Sequence, residues 1–172
     1  MNKLTVLLVL PLLASFSCVN HKKALQPQMS EWEATKSKTA IARMIAHDSI
    51  DEALSLAIEI EPQKTDDPQI PFIKGVIWSK KNNLNSARTA FQRSSHIYVS
   101  IIAVRPNIYD AINKASCVLM LQGEEAYQLQ LDSIEKTKEF LDSPIDLSPF
   151  RELTINDVLS SFDEDSWTIQ EP

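Results

Sequence analysis

Two glycines, Gly75 and Gly123, are all that the 172 residues contain. Sheets joined by tight turns need residues that accept a positive φ, and glycine supplies most of them. Helix pairs need few, so this scarcity points to an all-α chain of about one domain. The nine prolines do not oppose that reading. Pro62, Pro68, Pro71, Pro106, Pro144 and Pro149 fall between apolar segments, where they punctuate the chain instead of interrupting it.

The apolar segments repeat. Met44, Ile50, Ala53 and Ala57 in residues 39–60 match Trp78, Leu84, Ala87 and Phe91 in residues 73–94, each pair 34 positions apart. On the first helix of the second segment, Gly75 allows close approach of the next helix, and Trp78 follows about one turn later. Ala87 and Phe91, four apart on that next helix, share a face that can receive Trp78. The polar run Lys81-Asn82-Asn83 breaks the helix, and Leu84 is expected to return to the core. His47-Asp48-Ser49 plays the same part before Ile50.

Gly75-x-x-Trp78 followed by Ala87-x-x-x-Phe91, at this period, resembles the tetratricopeptide repeat (TPR). The resemblance implies helix-turn-helix pairs, about three of them, with a C-terminal capping helix. It departs from the family at Lys74, where leucine is usual, and at Pro71, where a large aromatic is common. A looser third unit covers residues 108–140. The helix beginning near Leu84 runs on through Ile97, Ile101 and Ile102 to Pro106-Asn107. Ala111, Ala115, Cys117, Val118, Leu119 and Leu121 then supply an apolar helix, and Gln122-Gly123 a turn. A last helix from Glu124 places Ala126, Leu129, Ser133 and Ile134 on one face. Ser148, as N-cap with Pro149 at the first helical position, opens a segment whose Phe150, Leu153, Val158 and Leu159 can cover the end of the third unit.

The N-terminus reads as an export signal. Lys3 precedes the apolar run from Leu4 to Leu13, and Ala14-Ser15-Phe16-Ser17 leads to Cys18. The run is shorter than the roughly 20 residues that span a bilayer, so a transmembrane anchor is the weaker reading. Ser15-Phe16-Ser17-Cys18 resembles the lipobox of bacterial lipoproteins in the looser form of the Bacteroidetes type, which implies acylation of Cys18. An ordinary secreted protein with an incidental cysteine is the alternative. Lipid on Cys18 would leave Cys117, the only other cysteine, as a small buried hydrophobe. A Cys18–Cys117 disulfide is the other arrangement an oxidising compartment allows. The chain thus divides into a signal peptide (1–17), lipidated Cys18 with a polar tether (18–30), a helical domain (31–145), a capping helix (146–162) and an acidic tail (163–172) in which Trp167 is a candidate docking residue. Lys22 and Lys23, where surface-exported relatives of this type carry acids, favour an outer-membrane protein facing the periplasm.

The formal net charge is −6, and removal of residues 1–17 leaves 16 basic against 23 acidic side chains, −7. An acidic chain without a Lys/Arg stripe is a poor nucleic-acid binder, because that affinity rests on neutralising phosphates. The three histidines, His21, His47 and His96, are scattered, and only His47 has an acid at helical spacing, Asp51. No zinc spacing, phosphate loop or nucleophile elbow occurs. Asp51-Glu52 and Glu124-Glu125 fall in first helical turns, where they favour the helix dipole. The expectation is a protein with no enzymatic activity, no cofactor, no metal and no small-molecule substrate.

The TPR resemblance implies a concave groove, lined by the first helices of the pairs, that takes a protein or peptide partner in the cell envelope. Lys38, Ala42 and Ile45 on the first pair and Phe72, Val76, Ser79 and Lys80 on the second are the expected lining, with Phe72 and Val76 open to an alternative role as core between pairs. Two functions fit such a chain: a membrane-anchored scaffold or adaptor, and a periplasmic immunity or inhibitor protein against a delivered toxin. Replacement Cys18→Ser is expected to move the protein from the membrane to the soluble fraction; unchanged membrane retention would refute acylation at this cysteine.

Overall fold

The computed structural model describes residues 28–140 and 145–163. The signal segment, Cys18, the tether up to Pro27, Pro144, and the tail beyond Asp163 with Trp167 lie outside the described residues. Within them every regular element is helical. The order is α1 (Glu31–Ala46), α2 (Ile50–Ile60), α3 (Gln69–Lys80), α4 (Leu84–Val104), α5 (Ile108–Gln122), α6 (Glu124–Lys136), α7 (Ser148–Arg151) and α8 (Ile155–Ser160), with 3-10 turns at Glu61–Gln63 and Lys138–Phe140. None of these helices is long and apolar enough to cross a membrane.

Local chemistry sets the helix ends. A capping box opens α1: the Ser30 N–H donates to Glu33 Oε2 at 2.9 Å and the Glu33 N–H donates to Ser30 Oγ at 3.2 Å. The Ser30 hydroxyl and N–H hold the Glu33 carboxyl below its usual range. Thr154 and Asp157 open α8 in the same way. The α1–α2 and α3–α4 hairpins turn identically. Asp48 and Asn82, 34 residues apart, take φ of 59° and 56°. The following amides, Ser49 and Asn83, donate back to Met44 O at 2.8 Å and Trp78 O at 2.9 Å. This is the Schellman closure, which needs one left-handed residue; Asn and Asp tolerate that conformation best among residues with a side chain. The α5–α6 turn is shorter. Gly123 alone, at φ 89° and ψ −177°, ends one helix and begins the next.

Successive helices from α1 to α6 pack against each other, and α1 also meets α3. Ile41, Ile60, Ile70, Ile77, Phe91 and Leu119 lie at the centre of the core. Ala53, Ala57, Ala87 and Phe91 are buried, while Met44, Ile50 and Trp78 pack half-buried at the edge of the core. A Cβ on Gly75 would lie 2.5 Å from Phe91 Cε1, so the α3 backbone is in direct contact with that ring.

Several expectations need correction. Leu84 does not return to the core: as the first residue of α4 it stands at a hairpin tip, 68% exposed. On α6 the buried face is Tyr127, Leu131 and Ile134, with Leu129 exposed, because the large Tyr127 ring turns inward and sets the phase. The C-terminal segment forms two short helices instead of one. Ser148 is the first residue of α7 and not its cap, its N–H being taken by Asp146 Oδ1 at 2.9 Å.

The two glycines are needed for different reasons, which a mutational cycle separates. Gly75→Ala overpacks the Phe91 ring and is expected to destabilise by about 1–3 kcal/mol in urea unfolding. Gly123→Ala meets no atom within 4 Å, yet strains a backbone region close to glycine-only, at a similar cost of about 1–3 kcal/mol. Phe91→Leu should reduce the first penalty and leave the second unchanged. Additivity of Gly75→Ala with Phe91→Leu would show that the contact is not the source.

Candidate partner groove

The first helices of the three pairs, α1, α3 and α5, border a groove of about 450 Å³. Thr35, Lys38 and Thr39 of α1 form one wall, Gln69, Phe72 and Ile73 of α3 the middle, and Asn113 and Ser116 of α5 the other wall, with Tyr98 of α4 below. The α1 and α3 members pair off at 34 residues: 35 with 69, 38 with 72, 39 with 73. The groove therefore uses equivalent positions of the two repeated segments. Its remaining border comes from the C-terminal segment: Leu153, Asp157, Val158, Ser161 and Phe162.

Two of the expected groove residues are present, Lys38 and Phe72. Lys38 Nζ donates to Asp67 Oδ2 and Gln69 Oε1, both at 2.7 Å. Asp67 Oδ1 also accepts the Gln69 N–H at 2.8 Å, so one carboxylate fixes both the start of α3 and the α1 ammonium. Phe72 packs edge-on to Phe91, ring centroids 5.3 Å apart and planes at 66°, and turns its remaining surface to the groove. Ala42, Ile45 and Val76 do not line it: each is buried in the core. The groove occupies the N-terminal halves of α1 and α3. Towards their C-terminal ends Ala42 and Val76 are fully buried in the core, so the alternative reading of Val76 as core is the correct one. Ser79 is spent on its own helix, donating to Gly75 O at 2.9 Å. Lys80 lies beyond the lining and pairs with Asp163 at 2.8 Å.

Thr35, Thr39, Gln69, Ile73, Asn113, Ser116 and Tyr98 were not anticipated. The 34-residue offset that aligned the cores would have found the first four, applied one turn earlier on each helix. The lining hydroxyls donate to the carbonyl one turn back, Thr35 to Glu31 at 2.9 Å, Thr39 to Thr35 at 3.1 Å and Ser116 to Ile112 at 3.3 Å. They therefore face the groove mainly as acceptors, suited to amide and hydroxyl donors of a ligand. Below the groove, burial pushes the Tyr98 phenol up, reinforced by the Asp110 and Asp67 carboxylates. Burial likewise raises the Cys117 thiol to about 11, against the opposing hydrogen bond with Ser94. This thiol is fully buried and donates to Ser94 Oγ at 3.3 Å. Ser94 Oγ in turn donates to Pro68 O at 2.8 Å.

A second cleft, which the sequence did not suggest, lies between α3 and α4 on the opposite side. Glu61, 8% exposed, receives Lys74 Nζ there, and Arg93 Nε reaches its other oxygen at 3.3 Å. Lys74 is thus placed to neutralise a buried acid. Asp51, the acid one turn from His47, pairs instead with Lys81 across the two hairpin tips. Among the described residues, no three His, Cys, Asp or Glu side chains gather as a metal site.

No family model, curated protein or solved structure matches this chain. Lys38→Met is expected to leave the Asp67 carboxylate, 8% exposed, without its ammonium, and to cost on the order of 2 kcal/mol in urea unfolding. A variant as stable as the wild type would show that Gln69 and solvent satisfy Asp67 alone.

Proposed function

We propose that this chain is a protein-binding lipoprotein of the bacterial cell envelope, a scaffold or adaptor without catalytic activity of its own. In this reading its helix pairs are tetratricopeptide-like units closed at the C-terminus, and acylated Cys18 tethers them to a membrane, the outer membrane facing the periplasm. Each acyl chain contributes about 0.8 kcal/mol per buried CH₂, and several chains on one cysteine suffice for stable anchoring. The observation that carries the reading is the shared period. Turn residues Asp48 and Asn82, core residues Ala57 and Phe91, and groove residues Lys38 and Phe72 all recur at 34. A solenoid that repeats its inward-facing positions builds a continuous concave surface, the surface that helical-repeat proteins use for partners. The polar walls and apolar floor of this surface are the composition of a peptide site.

Detergent-solubilised full-length protein, tagged after Pro172, should capture one envelope protein in stoichiometric amount. Asn113→Glu alters an exposed wall residue without touching the core, so it should abolish capture while leaving the helical circular dichroism unchanged. The partner's identity then separates an adaptor from an immunity protein, whose target would be a toxin held at roughly nanomolar affinity. Capture that survives Asn113→Glu would move the partner site off the groove, and no specific capture would refute the reading.

A further inference from the structure

The groove is partly filled by the chain itself. α8 packs against α3 and α5, along the middle and one wall of the concave surface. Val158 and Phe162, four residues apart and so on one face, are 6% and 5% exposed. Asn156 and Ser160, on the other side of the segment, are exposed, and the exposed Asp157 and Ser161 border the open part of the groove. Asp163 then meets Lys80 at 2.8 Å. The α1 wall stays uncovered, and the groove of about 450 Å³ is what remains beside α8.

Resting on the partner-binding reading above, we propose that the groove is a receptor for an amphipathic helix bearing two apolar side chains one turn apart followed by a carboxylate. In this proposal α8 with Phe162 and Asp163 is an internal copy of that ligand, which a partner displaces.

Four observations carry this. The contact made by α8 is the helix-in-groove mode, apolar anchors on one face and polar residues outward. At six residues α8 is far below the length at which a helix stands alone in water, so it is helical because the groove holds it. Its ion pair to Lys80 is a surface one, with Asp163 62% exposed, and is easily exchanged for the same pair from another chain. The segment is also separable. Phe150 and Arg151 are fastened to α6, through Tyr127 Oη to Phe150 O at 2.9 Å, Gln128 Nε2 to Arg151 O at 2.7 Å, and the Arg151 guanidinium to Asp132 and Glu135 at 2.8 Å each. Only Glu152–Thr154 link this anchor to α8, so α8 can leave while α7 stays. Partner selectivity follows from charge. Lys38 is already neutralised by Asp67 at 2.7 Å, so the charge offered to an incoming helix is Lys80 at the end of the groove, whose present partner Asp163 belongs to the displaceable segment. A helix that ends in a carboxylate at Lys80 is therefore favoured over one that ends in a base there.

The test uses a fluorescein-labelled peptide of residues 150–163 against the full-length protein in detergent. A receptor carrying Val158→Ser and Phe162→Ala, with its own α8 released, should bind the peptide at least about tenfold more tightly than the wild type, whose tethered helix competes at an effective concentration on the order of millimolar. The same two replacements in the peptide should abolish binding. Equal affinity of both receptors, or no binding to a release variant that keeps its helical circular dichroism, would overturn the proposal. Should the release variant lose that signal, amide exchange in the wild type decides. Peptide at about 5 mM, above the tethered concentration, should accelerate exchange at residues 155–160 without exposing α3; unchanged exchange there would refute displacement. An envelope partner captured equally by wild type and release variant, without competition from the peptide, overturns this proposal and leaves the partner-binding reading standing. Peptide binding to the release variant with no envelope protein captured does the reverse.

Discussion

The structure hangs on one close contact, the Phe91 ring seated against the backbone of Gly75. Any side chain at 75 would occupy the place of that ring, and without it α3 and α4 would have to separate. The rest of the inward face of α4 depends on their closeness. Phe91, Ser94 and Tyr98 lie three and four residues apart, on one face of the helix. Phe91 sets the spacing to α3 and packs edge-to-face with Phe72, which lines the groove. Ser94 holds the Pro68 carbonyl before α3 and accepts the Cys117 thiol of α5. Tyr98 forms the base of the groove. A single stripe on one helix thus fixes the distances among the central pair, the third pair and the candidate binding surface.

The connection between α2 and α3 does for the first pair what that stripe does for the third. Residues 61–68 carry three nearly buried charges, Glu61, Lys64 and Asp67, and each has a partner on a helix other than α2. Glu61 takes Lys74 of α3 and Arg93 of α4, Lys64 takes Glu31 of α1, and Asp67 takes Lys38 of α1. Ion pairs at this depth add little net stability against apolar replacements, but an unpaired member is expensive. Their effect is to penalise any other arrangement of these helices. Hydrophobic helix faces leave register loosely specified, and here register is what aligns residues 35, 38 and 39 with 69, 72 and 73 along the groove.

How much of this was legible in the sequence depends on whether a feature is local or periodic. The all-helical class, the hairpin turns at Asp48 and Asn82, the α4 stretch to Val104 and the close approach at Gly75 are visible because each rests on glycine scarcity, a 34-residue offset or a turn signal. Leu84 and Leu129 were misplaced because an apolar residue at helical spacing says which face it belongs to, not whether a neighbour covers that face. Ala42, Ile45 and Val76 were misplaced for the opposite reason: they are buried in the core, and which part of a first helix faces a groove depends on its packing against neighbours, which spacing along one helix does not show. Glu61 with Lys74 and Arg93 could not be seen, since a charge cluster built from a linker and two helices has no sequence spacing of its own.

The course of the C-terminal segment shows why an amphipathic pattern does not by itself reveal its target. Val158 and Phe162 could cover the end of a helical array or lie in its groove, and the same alternation serves both. The anchor decides between them. Tyr127, Gln128 and Asp132 of α6 hold Phe150 and Arg151 at the third pair, and the three linking residues Glu152–Thr154 reach at most about 10 Å. From that starting point α8 settles on α5 and α3. The groove is therefore filled from one side, and Thr35, Lys38 and Thr39 border its open part. Shape complementarity explains why α8 fits the groove; chain connectivity explains from which side it does so.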